Sequence, residues 1–426
     1  MLTHAQLLDQ LGKLENAEVS AKQDRLNSVS SKVIRCRYEG QQAVAVGADT
    51  DGKTQITALL DLLDLHRHAR MKDTAADAVT LIIGGRAGGP EALDAIGTLV
   101  RSMTAGPTIR VLVGNAQGVL EPVTPLLCDF SKDSEYPRWL GLLMAVESGP
   151  PPIVRELVAA VAGLGADGHD ASGALRAYQM LSSAGRWSLR LEGLEVGRFK
   201  GTQGWLDVGK IGKTGNVSAQ RKAWLNATGT TAPLPVSHDP VVMEVAAKAL
   251  RKFSQQWLPE VSPQGDAPLK QDEHALESRV LRGYAPVEVP GVGRLELIRE
   301  DPAVNWGSQF PTKWGRQGSA RYLDALLRQG TTPWAVEIKI QGGTGVGGYY
   351  RHAVAQAVLY RHFIRQAKPL QRWFDNFDLQ REQCQAAVLV PKMTGKQSHW
   401  RPRLGTVADM FGVPVIEIDH KYAGIH

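Results

Sequence analysis

Asp324, Glu337 and Lys339 are the residues whose types and spacing point to chemistry. In the run WAVEIKIQ, Glu337 and Lys339 are separated by one residue, so a strand sets both on one face while Val336, Ile338 and Ile340 face the other way. Charges on an otherwise apolar strand are costly unless they pair or hold a metal. Upstream, residues 320–327 have strand length, and Arg328, Gln329, Gly330 and two threonines make a hairpin connection. Such a hairpin brings Asp324 beside Glu337. Two carboxylates with a nearby ammonium form a hard oxygen site suited to Mg²⁺ or Mn²⁺, with the lysine placed to orient a water or to meet charge developing on a phosphate.

The surrounding elements must hold these residues in place. Patterning predicts a helix over 270–283, strands near 292–299, 320–327 and 334–341, a helix over 351–367, a strand over 385–391, a short helix around 405–411 and a strand over 413–418. That order, αβββαβ with a final helix and strand, predicts a mixed sheet flanked by helices. Gln356 and Tyr360 are four apart and share a face of the helix after the catalytic strand.

From about residue 265 to the end, the chain resembles the PD-(D/E)xK nuclease superfamily, the restriction-endonuclease-like fold, and within it the RecB-type branch. Asp324 followed by Glu337-Ile338-Lys339 matches D…ExK, and Gln356-Ala357-Val358-Leu359-Tyr360 matches QxxxY. Leu323 stands where the signature has proline, a position that supplies no ligand. The resemblance implies catalytic roles for Asp324, Glu337, Lys339, Gln356 and Tyr360. It further implies a glutamate from the first core helix in the metal site: Glu277 in HALESRVL, with Glu273 one turn earlier as the alternative, beside an apolar face of Leu276, Val280 and Leu281. Arg361 would be an adjacent phosphate contact. The implied activity is Mg²⁺-dependent phosphodiester hydrolysis in DNA, with a setting in bacterial defence or DNA repair.

Length and composition bound the rest. A chain of 426 residues suggests two or three domains, and 43% hydrophobic residues suffice to give each a core. The formal charge of +6 favours a polyanionic partner without naming one. Cys36, Cys128 and Cys384 are far apart, which indicates neither a disulfide framework nor a thiolate zinc site and fits a reducing cytoplasm. The N-terminal stretch lacks an apolar secretory core, and later apolar runs are broken short of a membrane span, so a cytoplasmic protein with no membrane association is expected.

In chain order, residues 1–150 read as an α/β domain. An amphipathic helix over 1 to about 30 is followed by VIRCRYEG and QQAVAVGA as strands, a helix from DGKTQITALL onward, and then AVTLIIGG, a helix and TIRVLVGN as a parallel crossover. His66 and His68, two apart, do not suit ligation from one helical face. GGRAGGP lacks the spacing of a nucleotide loop and reads as a connection or a generic anion nest with Arg86.

Residues 151–229 read as helical over 150–182 and then as a short-stranded antiparallel meander. The meander interleaves Arg186, Arg190, Arg198, Lys200, Lys210, Lys213, Arg221 and Lys222 with Trp187, Phe199, Trp205 and Trp224, a composition that serves a nucleic-acid surface or a small core. TGTTAPLPVSHDP reads as a linker, and residues 230–426 form the nuclease-like domain, entered through a helix that ends before Pro259. Two basic loops, around Trp306, Lys313, Trp314 and Arg316 and at KQSHWRPR, stand near its sheet. QGGTGVGG, between catalytic strand and helix, gives the backbone room to approach DNA or forms a mobile connection.

Three functions follow: a metal-dependent deoxyribonuclease whose N-terminal half selects the substrate, an effector nuclease regulated by a small ligand or partner protein through that half, and a noncatalytic DNA-binding scaffold. DNA is the expected partner in each, and a homo-oligomer fits all of them.

Overall fold

The Ala325–Gln329 strand turns through Gly330 and Thr331 into Thr332–Ile338, with Gln329 paired to Thr332 and Ala325 to Val336. Gly330 has φ +57°, a conformation that costs glycine little. Thr332–Ile338 then pairs in parallel with Gln385–Pro391, so it is central, and it is buried from Pro333 onward. The six-stranded sheet runs Val287–Val289, Gly293–Leu297, Ala325–Gln329, Thr332–Ile338, Gln385–Pro391, Val415–Ile418, and it is mixed, as expected. A computed structural model describes residues 1–20, 33–85, 89–163, 171–180, 185–211, 216–257, 273–301, 303–340 and 346–423.

The chain divides into two compact units. The first joins residues 1–134 to 287–295 and 309–417, and the second joins 135–286 to 296–308 and 418–426. The mixed sheet therefore shares a unit with the N-terminal α/β region, and the unit boundaries run across the linear division at 150 and 230.

In the first unit a second six-stranded sheet follows chain order: Ala17–Val19, Val33–Tyr38, Gln41–Val46, Ala78–Ile83, Thr108–Gly114, Leu120–Val123. Its third, fourth and fifth strands are parallel, joined by the helices Gly52–Arg70 and Gly89–Ser102. Near-continuous apolar strands such as AVTLII suit a sheet covered on both faces. The first helix is shorter than the expected 1 to about 30. His4–Lys13 begins at a capping box of Thr3 and Gln6, buries Leu7 and Leu11 and stops where Ala17–Val19 pairs with Cys36–Tyr38; residues 21–32 lie outside the described residues. Helix Gly52–Arg70 packs against Val346–Gln366, which in turn covers the Thr332–Ile338 and Gln385–Pro391 strands.

The second unit contains a five-stranded antiparallel sheet ordered Leu234–Val236, Gln203–Leu206, Leu194–Lys200, Arg186–Leu191, Leu175–Gln179. The meander is as expected, but two of its strands come from other assignments. Residues 175–179, expected to be helical, pair with Arg186–Leu191, and the linker contributes Leu234–Val236. Trp187, Phe199 and Trp224 are core residues and Arg221 is buried against Asp207, while Trp205 is 44% exposed. Most of the aromatic signal of the meander is thus packing. Lys213 lies outside the described residues, as do residues 86–88 of GGRAGGP and 341–345 of QGGTGVGG.

All three cysteines are free and buried. Burial pushes the thiols of Cys36, Cys128 and Cys384 up to about 12. Among the described residues no helix is long and apolar enough to cross a membrane.

Candidate active site at the end of the central strand

Asp324 falls between two short strands, Arg321–Leu323 and Ala325–Gln329, where the expected continuous strand 320–327 breaks. The break has a local cause. Arg321–Leu323 pairs with Phe310–Thr312, while the next residues pair with Thr332–Ile338, so the chain changes sheet at Asp324. The Ile338 backbone N–H donates to Asp324 Oδ2 at 2.8 Å, so the carboxylate replaces a ladder acceptor at the strand end.

Glu337 and Lys339 come to the same place. Lys339 Nζ lies 2.6 Å from Glu337 Oε1 and 3.6 Å from Asp324 Oδ2, and it donates to the Ile338 carbonyl at 2.8 Å. Past the strand end, the Lys339 N–H still continues the parallel pairing by donating to Leu389 O. Glu337 is fully buried, Lys339 is 5% exposed and Asp324 is half-buried. Asp324 is therefore the member of the trio nearest to water.

Helix Val346–Gln366 supplies the next layer. Gln356 Nε2 donates to the Tyr360 hydroxyl at 3.3 Å, and Gln356 Oε1 is buried with no hydrogen-bond partner among the described residues. The Tyr360 hydroxyl is held well above its usual range, first by burial, then by the negative charge of Glu337 and, more weakly, of Asp324. The helix packs against the Thr332–Ile338 strand that carries Glu337. His352, one turn before Gln356, is on the same face. Its ring lies edge-on to Trp314, which also faces Tyr360, and its Nδ1 is 3.3 Å from Thr57 Oγ1. Burial first, then the cations Lys53, Lys339 and Arg321, push its pKa well below the ordinary histidine value, so it is neutral. His352 and His362 are ten residues apart in sequence and do not resemble a local metal pair, yet the spacing 352, 356, 360 is a readable signal of one helical face.

The other expected residues have partners of their own. Glu277, on helix Glu273–Leu281, belongs to the second unit; it is buried, accepts from Ser308 Oγ at 3.0 Å and lies 3.1 Å from His274 Nδ1. Arg361 donates to Phe411 O, and burial and Arg365 lower its pKa. Trp306 and Trp314 are buried; Lys313 pairs with Asp133 and Arg316 with Asp94, so the aromatic loop packs into the fold.

Among the described residues no group of three or more His, Cys, Asp or Glu side chains gathers as a metal cluster. The donor set that does gather, Asp324 and Glu337, nevertheless suits Mg²⁺. That ion takes oxygen ligands and is commonly held by one or two carboxylates, with water and substrate phosphate completing its shell.

No family model, no curated protein and no solved structure matches the chain.

Proposed function

We propose that this protein is a Mg²⁺-dependent nuclease that hydrolyses phosphodiester bonds in DNA, with Asp324, Glu337 and Lys339 as its catalytic centre. The observation that carries this reading is the convergence of the three side chains at the end of one central strand, backed by the face of Gln356 and Tyr360. Asp324 and Glu337 would hold the ion, which would supply a Lewis acid for the phosphoryl oxygens. Lys339 stands between the carboxylates, where its charge meets the charge developing on the phosphate and orients the attacking water. Water joins phosphorus as the bond to the 3′ oxygen breaks. Tyr360 keeps its proton throughout, because burial holds its hydroxyl in the neutral donor form, and Gln356 fixes that hydroxyl.

The test is a digestion panel of linear, circular, single-stranded and modified DNA, with RNA alongside, in Mg²⁺ and in chelator. Metal-dependent cutting of DNA that is lost in Lys339→Ala supports the reading; no cutting of any substrate, or cutting that survives Lys339→Ala, ends it.

The packing of helix Gly52–Arg70 against helix Val346–Gln366 favours a regulated form of the same reading, in which a ligand or partner met by the N-terminal region acts on the helix that carries Gln356 and Tyr360. The full burial of Glu337 against Lys339 favours the scaffold reading, in which the pair is structural. Mg²⁺ titration of wild type and Glu337→Gln separates the two, since a scaffold binds DNA alike in both.

A further inference from the structure

Away from the strand carboxylates, a groove of about 680 Å³ opens between the last turns of helix Gly52–Arg70 and the start of helix Trp400–Asp409. Arg67, His68 and Arg70 line it from one helix and Arg403 from the other, with His399 at the cap of the second, and no carboxylate lines it among the described residues. Basic side chains in a last helical turn commonly offset the helix dipole. That account does not cover Arg403 and His399, which reach the same groove from a different helix and its cap.

The groove is built from beneath. Asp64, nearly fully buried, accepts from Arg67 Nε at 3.1 Å and from Arg403 Nε at 3.2 Å, with a second bond from Arg403 Nη2. Arg351 lies 3.7 Å from Asp64 and donates to Asp61 at 3.1 and 2.5 Å. Arg403 is also stacked over Trp400, 4.3 Å from the ring centroid. Two guanidiniums are thus held in fixed orientations at the groove wall, which lowers the ordering cost of gripping a ligand. The charge is not cancelled: Asp61 and Asp64 stand against Arg67, Arg351 and Arg403, with Arg70 in addition. Burial, together with Lys72, Arg67 and Arg403, lowers the pKa of His68, in keeping with a positive field there.

We propose that this groove binds a phosphate group, gripped by Arg67, Arg70 and Arg403 with His68 and His399 at the rim. Planar guanidiniums from two helices match the oxygens of a phosphate, whose tetrahedral arrangement lets it accept from donors on both sides of the groove at once. The phosphate belongs either to a free nucleotide or to a polynucleotide backbone. The proposal does not depend on the nuclease reading.

Its test is binding by the full-length protein, without any cutting assay. Inorganic phosphate and adenosine 5′-monophosphate are titrated by calorimetry, and a labelled DNA duplex is titrated at several salt concentrations, for wild type, Arg70→Glu and Lys368→Glu. Arg70 is exposed and its reversal leaves the Asp64 network whole, while Lys368 is exposed and off the groove lining. Wild-type binding of the small phosphates that weakens about tenfold or more in Arg70→Glu but not in Lys368→Glu assigns the groove to a free ligand. Duplex binding that weakens selectively in Arg70→Glu, with a salt slope smaller by about one, assigns it to the nucleic-acid backbone. Equal effects of the two reversals, or none from Arg70→Glu on either probe, overturn the proposal.

Discussion

The Lys339 ammonium lies 2.6 Å from the Glu337 carboxylate at the end of a strand that is hydrogen-bonded on both sides and buried on both faces. Each charge alone would be severely penalised there, so the two depend on each other. Removing only the ammonium, in Lys339→Met, is expected to destabilise the fold by about 3–5 kcal/mol, since it strands a buried carboxylate. The double variant Glu337→Gln with Lys339→Met should recover most of that loss. Urea unfolding of the two singles and the double measures the coupling; additive effects would contradict it.

Asp324 separates structure from charge. Asp324→Asn retains an oxygen able to accept the Ile338 N–H, whereas Asp324→Ala leaves that donor at the strand end without its acceptor. Alanine is expected to cost about 1–3 kcal/mol and asparagine less. Both should abolish metal-dependent cutting, because neither supplies the negative charge. A stable asparagine variant with wild-type activity would remove Asp324 from the site.

The pH dependence of stability carries the signature of His352. Its folded pKa lies well below the ordinary value, so below about pH 6.5 the unfolded chain takes up a proton that the native state refuses. Stability is therefore full above that pH and falls as the pH drops toward the depressed folded pKa. His352→Gln is expected to reduce the slope in this window by about one proton, ~1.4 kcal/mol per pH unit. Unfolding midpoints across the window provide the measurement, and an unchanged slope would mean that His352 is not held neutral.

Asp64 acts in a lower window with a different origin. Burial works to raise its pKa, but the hydrogen bond from Arg403, the charges of Arg351 and Arg403 and the hydrogen bond from Arg67 outweigh it, and the carboxyl is held below the usual range. Its contribution is fully present above the unfolded aspartate value, about 3.9, and is lost as the pH falls through the folded value. Asp64→Asn should lower stability at neutral pH and show a shallower decline in acid than wild type. A parallel decline in the two proteins would contradict the network.

What the sequence made readable followed from local period and short loops. The alternation in WAVEIKIQ, the hairpin connection between Arg328 and Thr332 and the parallel crossover from Ala78–Ile83 to Thr108–Gly114 are near-neighbour features, and the corresponding elements stand close to where patterning sets them, although the hairpin closes more tightly, with Gln329 already paired to Thr332. The stretch LRAYQ reads as helix from its neighbours' alanine-rich composition, yet it becomes a strand because pairing with Arg186–Leu191 decides its state. The Asp64 network was out of reach for a plainer reason. Arg403 is 339 positions from Asp64, and Arg351 is 290 from Asp61, so no spacing rule connects them. The basic neighbours of Trp314 suit insertion into a groove and packing across the sheet equally, and only the tertiary contacts decide: Arg321 stacks over it, 4.4 Å from the ring centroid, and it lies against His352 and Tyr360.

Whether the trio at the strand end cuts DNA is decided by cleavage with purified wild type and Glu337→Gln in matched Mg²⁺ and chelator conditions. Wild type is expected to cut only with Mg²⁺, and cutting should fall by about a hundredfold or more in Glu337→Gln, the scale on which removing a charge-stabilising group acts. Equal cutting by the two proteins, or cutting by wild type that persists in chelator, would contradict the nuclease reading.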